Sequence, residues 1–407
     1  MPSNQLRIAM LSAHSCPVGT LGAKDTGGMS VYIVELAREL GRQGHLVDVY
    51  TRVHDPADPK IVNLGHNARL IHLLAGEIEP IPKLAVYSYL PDFACNLEAF
   101  RKDINRRYDL VFSHYWLSAW VGQYLEQWWS VPHITMFHTL GAVKNTIGFG
   151  EDEPELRIER EGELARTCHH IIAPTEKEKE ALISHYGASP ERISVVPCGV
   201  NLELFRPGDK ESARRELGFG DGKIILSVGR IEPLKGTEKL IRALPLLKAN
   251  PEARLVVIGG DESSHRELKK LKNLSRELGI EDSLTFTGSV KQDSLPRYYA
   301  AADVTVISSY YESFGLVALE SLACGTPVVA TDVGDLKNII RQGETGYVVS
   351  GSEPHLLADK IDWQLSGQSR DALAVRETVS GYGWPSIARA IVDEFRQVMD
   401  DYCVSVP

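Results

Sequence analysis

Short apolar runs alternate along this chain with stretches in which apolar residues recur every three or four positions, the patterns expected of buried strands and amphipathic helices. Residues 7–12 read as one strand and 46–51 as the next. Between them Val31, Val34, Leu36 and Leu40 mark a helix over 29–43. Further strands are expected at 69–73, 110–113, 133–137 and 171–173, with helices between them. Such alternation implies a parallel sheet covered on both faces. The segment 197–207, dense in Pro and Gly, interrupts the series. After it come strands at 223–228, 254–259, 284–287 and 304–307, and helices at 237–248, 264–278 and 294–301. The pattern predicts an α/β protein of two doubly wound, Rossmann-like parallel-sheet domains, residues 1–205 and 206–385, facing each other across a cleft. A last helix, 386–407, carries Ile387, Ile391, Val392, Phe395 and Val398 as one apolar stripe. Its period does not say which domain buries it.

Composition narrows the classes. A chain of 407 residues is long enough for two cores. With 43% hydrophobic and 24% charged residues it reads as a soluble globular protein. The net charge of −10 argues against a dominant nucleic-acid or anionic-membrane surface, and the basic run 101–107 reads as a solvated helix face. The six cysteines show no C-x-x-C spacing, so neither a zinc site nor a disulfide framework is expected, and a reducing cytoplasm fits best. Residues 1–6 are polar, and no apolar run reaches the length of a spanning helix, so no signal or transmembrane segment is expected.

The densest chemistry lies in Glu312-Ser-Phe-Gly-Leu-Val-Ala-Leu-Glu320, which places two carboxylates around the start of a helix. Gly315 lets backbone approach a ligand. Leu316 to Ala323 are good helix formers, Gly325 suits the C-terminal cap, and Pro327 opens the apolar run 328–330. The N-terminus of that helix favours a diphosphate, while Glu312 and Glu320 can accept from sugar hydroxyls. Cations are then needed to offset the carboxylates, and Gly229-Arg230-Ile-Glu-Pro-Leu-Lys235-Gly236 supplies two at the C-terminal end of a strand. In the first domain, Asp25-Thr26-Gly27-Gly28 precedes a helix, so its N–H groups can reach a phosphate or a sugar. It is no G-x-G-x-x-G fingerprint, which sets nicotinamide and flavin binding aside. His138 ends a predicted strand and is the candidate for a polar contact near the reacting bond.

Gly229-Arg230-x4-Lys235-Gly236, the Glu312/Glu320 pair and Val195-Val-Pro-Cys-Gly199-Val-Asn-Leu-Glu-Leu-Phe205-Arg-Pro207 together resemble the retaining glycosyltransferases of family four, with the GT-B architecture, nearly end to end. Asp25-Thr26-Gly27-Gly28-Met29-Ser-Val-Tyr32 and Phe137-His138-Thr139-Leu-Gly-Ala-Val-Lys144-Asn145 resemble the branch that contains the mycothiol-pathway inositol-phosphate glycosyltransferase, the sucrose-phosphate synthases and the sucrose synthases. The resemblance implies that the last helix crosses back to the first domain. It implies a UDP-sugar as substrate, bound by Gly27, Gly28, Arg230, Lys235, Val290, Glu312, Phe314, Gly315, Leu316 and Glu320, with the uracil near 286–290. His138, Arg230, Lys235 and Glu312 are the implied catalytic residues, and Lys83, Tyr115, Thr139, Lys144 and Arg157 the implied holders of a phosphorylated acceptor. No cofactor is expected, and with no D-x-D element Mg2+ is not required.

The reaction so implied is retaining transfer of a hexosyl unit to a hydroxyl of inositol phosphate or of fructose 6-phosphate, the latter giving sucrose 6-phosphate. Two readings of other classes stand beside it. A membrane-surface transferase for a lipid or polysaccharide acceptor would need an apolar, basic patch on the first domain. A non-catalytic nucleotide-sugar-binding module would be expected to lack Arg230, Lys235, Glu312 or His138, and all four are present. Donor sugar and oligomeric state do not follow from the sequence.

Overall fold

In the computed structural model, which describes residues 5–19, 26–79, 81–149, 152–261, 264–351, 353–367 and 370–405, fourteen strands form two sheets. The first holds β1 (Arg7–Ser12), β2 (Leu46–Arg52), β3 (Ile61–Gly65), β4 (Ala68–Leu73), β5 (Leu110–His114), β6 (His133–Met136), β7 (His170–Ala173) and β8 (Ile193–Val195), in the order β3-β4-β2-β1-β5-β6-β7-β8. The second holds β9 (Ile224–Val228), β10 (Arg254–Ile258), β11 (Leu284–Gly288), β12 (Val304–Ile307), β13 (Val328–Thr331) and β14 (Gly346–Val349), in the order β11-β10-β9-β12-β13-β14. Both orders reverse beside their first strand, β1 and β9. Crevices at strand C-terminal ends form at such points.

All pairings are parallel except β3 on β4. This antiparallel edge departs from the expected all-parallel sheet, and neither β3, β8 nor β14 stands out in the sequence. In β3 only Leu64 is buried, which is too little for a hydrophobic period to register. The helix expected over 237–248 is α-helical only through Ala243. Pro245 has no N–H to continue the ladder, and Leu244–Leu246 tighten into a 3-10 turn. The basic run is exposed except at Arg101 and Arg106, as expected of a solvated face, but only its first three residues are helical; Arg101 grips Glu98 with bonds of 2.7 and 2.9 Å, and Arg106 lies 3.5 Å from Asp48.

Helix α1 (Gly28–Arg42) buries Ile33, Leu36, Ala37 and Leu40 against the first sheet. The last helix, α2 (Trp384–Ser405), packs on α1, so its stripe joins the first domain. Ile387, Ile391, Val392, Phe395 and Val398 are buried in one cluster with Ile8, Met10 and Phe112, and Phe395 meets Phe112 edge to face at 5.1 Å. Burying each such side chain contributes about 1.5–3 kcal/mol, which ties the chain end to the first sheet. Arg376 holds the connecting segment, donating to the carbonyls of Leu202, Phe205 and Ala323. Across the cleft Phe149 stacks on Tyr310 at 3.9 Å, and Lys177 pairs with Asp332 at 3.1 Å.

Candidate active site

The C-terminal ends of the two sheets face one cavity of about 350 Å3. Its second-domain wall carries Arg230, Lys235, Val290, Glu312, Phe314, Gly315, Leu316 and Glu320, and its first-domain wall Gly27, Gly28, Lys83, Tyr115, His138, Thr139, Lys144 and Arg157. Every residue proposed from the sequence as catalytic, donor-binding or acceptor-binding therefore lines the same space. Thr26 lines it too, whereas Asp25 of the same loop lies outside the described residues. Ser289 lines the cavity beside Val290, while Phe286 packs toward the interior of the second domain.

On the second-domain side the Lys235 ammonium sits 2.7 Å from Glu312 Oε1, which also accepts from Ser309 Oγ at 2.7 Å. Arg230 lies 2.9 Å from Glu232. Each cation is held by a carboxylate while keeping partial exposure to the cavity, so both remain available to an anionic ligand. The helix Leu316–Ala323 points its N-terminus at the same space through Gly315, Leu316 and Val317. Gly315 has φ of 126°, and a Cβ there would lie 2.6 Å from Leu336 Cδ2, so the loop and its anion-facing N–H groups require glycine. Glu320 is buried. Burial raises its carboxyl to about 7, against hydrogen bonds from Tyr299, 2.8 Å away, and Gln292. Gly27 and Gly28 bring the first domain's backbone against this wall. A Cβ at Gly27 would lie 4.0 Å from Arg230 Nε, and one at Gly28 3.2 Å from Leu316 Cδ1.

On the first-domain side His138 and Tyr115 leave their strands with positive φ, 61° and 74°, which non-glycine residues hold only where surroundings enforce it. His138 Nε2 is bonded to His114 Nδ1 at 2.9 Å. Burial lowers His138 to about 3, so its imidazole is neutral over the physiological range. The Tyr32 ring meets His138 edge-on at 5.3 Å and Trp384, from the last helix, at 5.4 Å.

The acceptor candidates form a connected corner. Arg157 is buried and donates to Glu161 Oε1 at 2.6 Å and to both the carbonyl and the hydroxyl of Thr139 at 2.8 and 2.9 Å, and it pairs with Glu153 at 2.7 Å. Lys144 also pairs with Glu153. Burial alone would depress the Arg157 guanidinium, but Tyr115, Glu161 and Glu153 around it more than reverse that and keep it charged. Its Cζ sits 4.8 Å over the Tyr115 ring, and Lys83 Nζ is 5.5 Å from the same ring. Glu161 accepts besides from Gly141 N at 2.8 Å and from the Tyr186 hydroxyl.

Sequence reasoning missed the carboxylates that hold these cations, and it missed His14, Tyr32, Gln292 and Tyr311, which also line the cavity. Glu161 had one available signal: it stands four residues after Arg157, on the same helix face. His14 carries no local motif, and Tyr32 closes the Asp25–Tyr32 motif without having been assigned to the site. Among the described residues no group of His, Cys, Asp and Glu is arranged to hold a metal ion, and no helix is long and apolar enough to cross a membrane.

Comparison with known proteins places this geometry. Residues 26–204 match the family model described as Glycosyltransferase Family 4, and residues 209–378 the model described as Glycosyl transferases group 1. The chain is 39% identical to D-inositol 3-phosphate glycosyltransferase 2 of Catenulispora acidiphila, over 98% of this chain and 97% of that protein. It is 38% identical to the D-inositol 3-phosphate glycosyltransferase of Acidothermus cellulolyticus, over 98% and 92%. Among solved structures, sucrose-phosphate synthase from Thermosynechococcus elongatus superposes with a TM-score of 0.88 at 32% identity, covering 98% of this chain and 100% of that one.

Proposed function

Because this chain belongs to glycosyltransferase family 4 and has its GT-B fold, we propose that it moves a hexosyl unit from a UDP-sugar to a hydroxyl of a phosphorylated polyol, with inositol phosphate as the preferred acceptor and fructose 6-phosphate as the second candidate. One observation carries this reading: a corner of three cations, Lys83, Lys144 and Arg157, with the Thr139 and Tyr115 hydroxyls, opens onto the cavity whose opposite wall presents Arg230, Lys235 and a helix N-terminus. Two anion-binding corners facing one space suit a diphosphate donor and a phosphate-bearing acceptor.

In this reading the diphosphate lies against the N–H groups after Gly315, with Arg230 and Lys235 offsetting the charge that grows on the leaving group. Glu312 contacts the sugar hydroxyls, Glu320 accepts from the ribose and Val290 flanks the base. His138 faces a donor-sugar hydroxyl as a neutral imidazole, and no metal is required. The acceptor phosphate engages Lys83, Lys144 and Arg157. Among the described residues the carboxylates lining the cavity are all engaged, Glu312 by Lys235 and Ser309, Glu320 by Tyr299 and Glu232 by Arg230, and none is singled out as a nucleophile. The family resemblance supports the leaving phosphate oxygen as the base that takes the acceptor proton on the same face, with retention.

The identity to D-inositol 3-phosphate glycosyltransferases supports the inositol branch, and the likeness to sucrose-phosphate synthase keeps fructose 6-phosphate in the comparison. The test is UDP release from UDP-glucose and UDP-N-acetylglucosamine, each with D-inositol 3-phosphate, fructose 6-phosphate, fructose or no acceptor. Release stimulated by one phosphorylated acceptor and not by fructose is the expected result. Release stimulated by none of them sinks the reading.

A further inference from the structure

Two neighbouring strands of the first sheet, β5 and β6, end in the same irregularity. Tyr115 directly follows β5 and His138 lies just beyond β6, and both have positive φ, 74° and 61°. His114, the last residue of β5, spans the two ends through its 2.9 Å bond from Nδ1 to Nε2 of His138. The His114 ring is fully buried, 4.4 Å from Phe112 and 5.7 Å from Tyr32, both edge to face, and is not among the residues lining the cavity. Its second ring nitrogen, Nε2, has no hydrogen-bond partner. With Nε2 of His138 committed to His114, only Nδ1 of His138 is left to meet a substrate.

We infer that His114 is a positioning residue for His138: its Nδ1–H donates to His138 Nε2, which fixes the proton of His138 on Nδ1 and aims that N–H at the donor sugar. This rests on the proposed transfer reaction. A bond between two neutral imidazoles contains one proton, so one ring donates and the other accepts. If His138 donated, the single proton of His114 would sit on Nε2, a buried N–H without an acceptor, and His138 would present only a bare lone pair to the cavity. Orphaned buried donors are rarer than under-satisfied acceptors, so a bare aromatic nitrogen at this buried position is the better tolerated state.

Burial holds both rings neutral, so no second proton blurs the choice. A neutral donor with a fixed tautomer adds no positive charge beside a carbon that itself becomes positive, and it needs no reorientation during the reaction. The same bond ties together the two strand ends that carry Tyr115 and Thr139, so one buried side chain sets the register between the donor-sugar contact and the acceptor corner.

The tautomer can be read directly in the full-length protein by two-bond proton–nitrogen NMR on 15N-histidine-labelled material, assigned with the His114→Asn variant. A protonated Nδ1 and an unprotonated Nε2 on His138 are expected. The reverse assignment overturns the inference, and because this readout needs no turnover, its failure is distinct from failure of the proposed reaction. In kinetics His114→Leu is expected to lower kcat about tenfold or more, with UDP-sugar affinity within about threefold of wild type. His114→Asn, whose amide N–H stands where Nδ1–H stood, is expected to recover most of that loss. Unchanged turnover in His114→Leu, or equal losses in both variants, overturns the positioning role. If His114→Leu does not fold, the tautomer and His114→Asn decide.

Discussion

Glu320 should make UDP-sugar binding pH-dependent, with a sign fixed by its burial. The free protein holds this carboxyl at about 7, where the ordinary value is 4.5. A ribose diol donates hydrogen bonds, so it binds the ionised form best and binding should release a proton. If only ionised Glu320 binds well, affinity falls about tenfold from pH 8 to pH 6, because one unit above the pKa the group is mostly charged and one unit below it is mostly not. The histidines lining the cavity do not compete in that window: burial holds His14 and His138 well below it.

UDP-glucose is the probe of choice, since its diphosphate is esterified at both ends and does not titrate in this range. Calorimetry in buffers of different ionisation heat should report proton release at pH 6.5, and Glu320→Gln should abolish it. Stability must move in the opposite sense. A carboxyl with a raised folded-state pKa contributes stability that is fully present below 4.5 and lost as pH rises through about 7. The difference of some 2.5 units corresponds to about 3 kcal/mol, so Glu320→Gln should be more stable than wild type at pH 8 by up to that amount and equal to it near pH 4.5. A pH-independent affinity, or a slope that survives in Glu320→Gln, refutes the reasoning.

Other consequences can be checked in the same protein. Arg230→Ala and Lys235→Ala should each lower kcat by about 10²-fold, more than they weaken binding of the intact donor, because the charge they offset grows as the bond breaks; equal losses in kcat and affinity would contradict this. Arg157→Ala leaves the buried Glu161 without its ion pair and should lower stability by about 3–5 kcal/mol, seen in urea melts, whereas a change under about 1 kcal/mol would show that the pair is not structural. Glu153→Gln removes the carboxylate that both Lys144 and Arg157 engage, and should lower the acceptor KM several-fold at unchanged donor KM. A raised acceptor KM would mean that Glu153 orders those cations instead of competing for them. Phe395→Ala should cost about 3–5 kcal/mol in a urea melt if the last helix anchors the first sheet; a loss under about 1 kcal/mol would contradict that anchoring.

The legible parts of this protein were those encoded within one turn or one strand. The run 304–307 and the helix from Leu316 to Ala323 coincide with β12 and with the observed helix, because their apolar spacing and the flanking Gly315 and Gly325 specify local conformation. Errors fell where local pattern was weak, as in β3 with one buried residue, or where proline cut a pattern short, as after Ala243. The donor and acceptor candidates were recognisable as motifs. Their ionic partners were not: Glu153 serves Lys144 from nine positions away, and Tyr299 reaches Glu320 from 21.

From the sequence by itself, hydrophobic period and capping glycines determined two α/β halves, and the resemblance of its motifs to a known family picked out the residues facing their strand ends. Tertiary structure alone decided that His114 meets His138 across 24 positions and that Glu320 sits deep enough to lose its ordinary acidity. Periodicity reports the path of a chain over a few residues. Desolvation and hydrogen bonding depend on which distant groups share a volume from which water is excluded, and that is fixed only when the sheets close on each other.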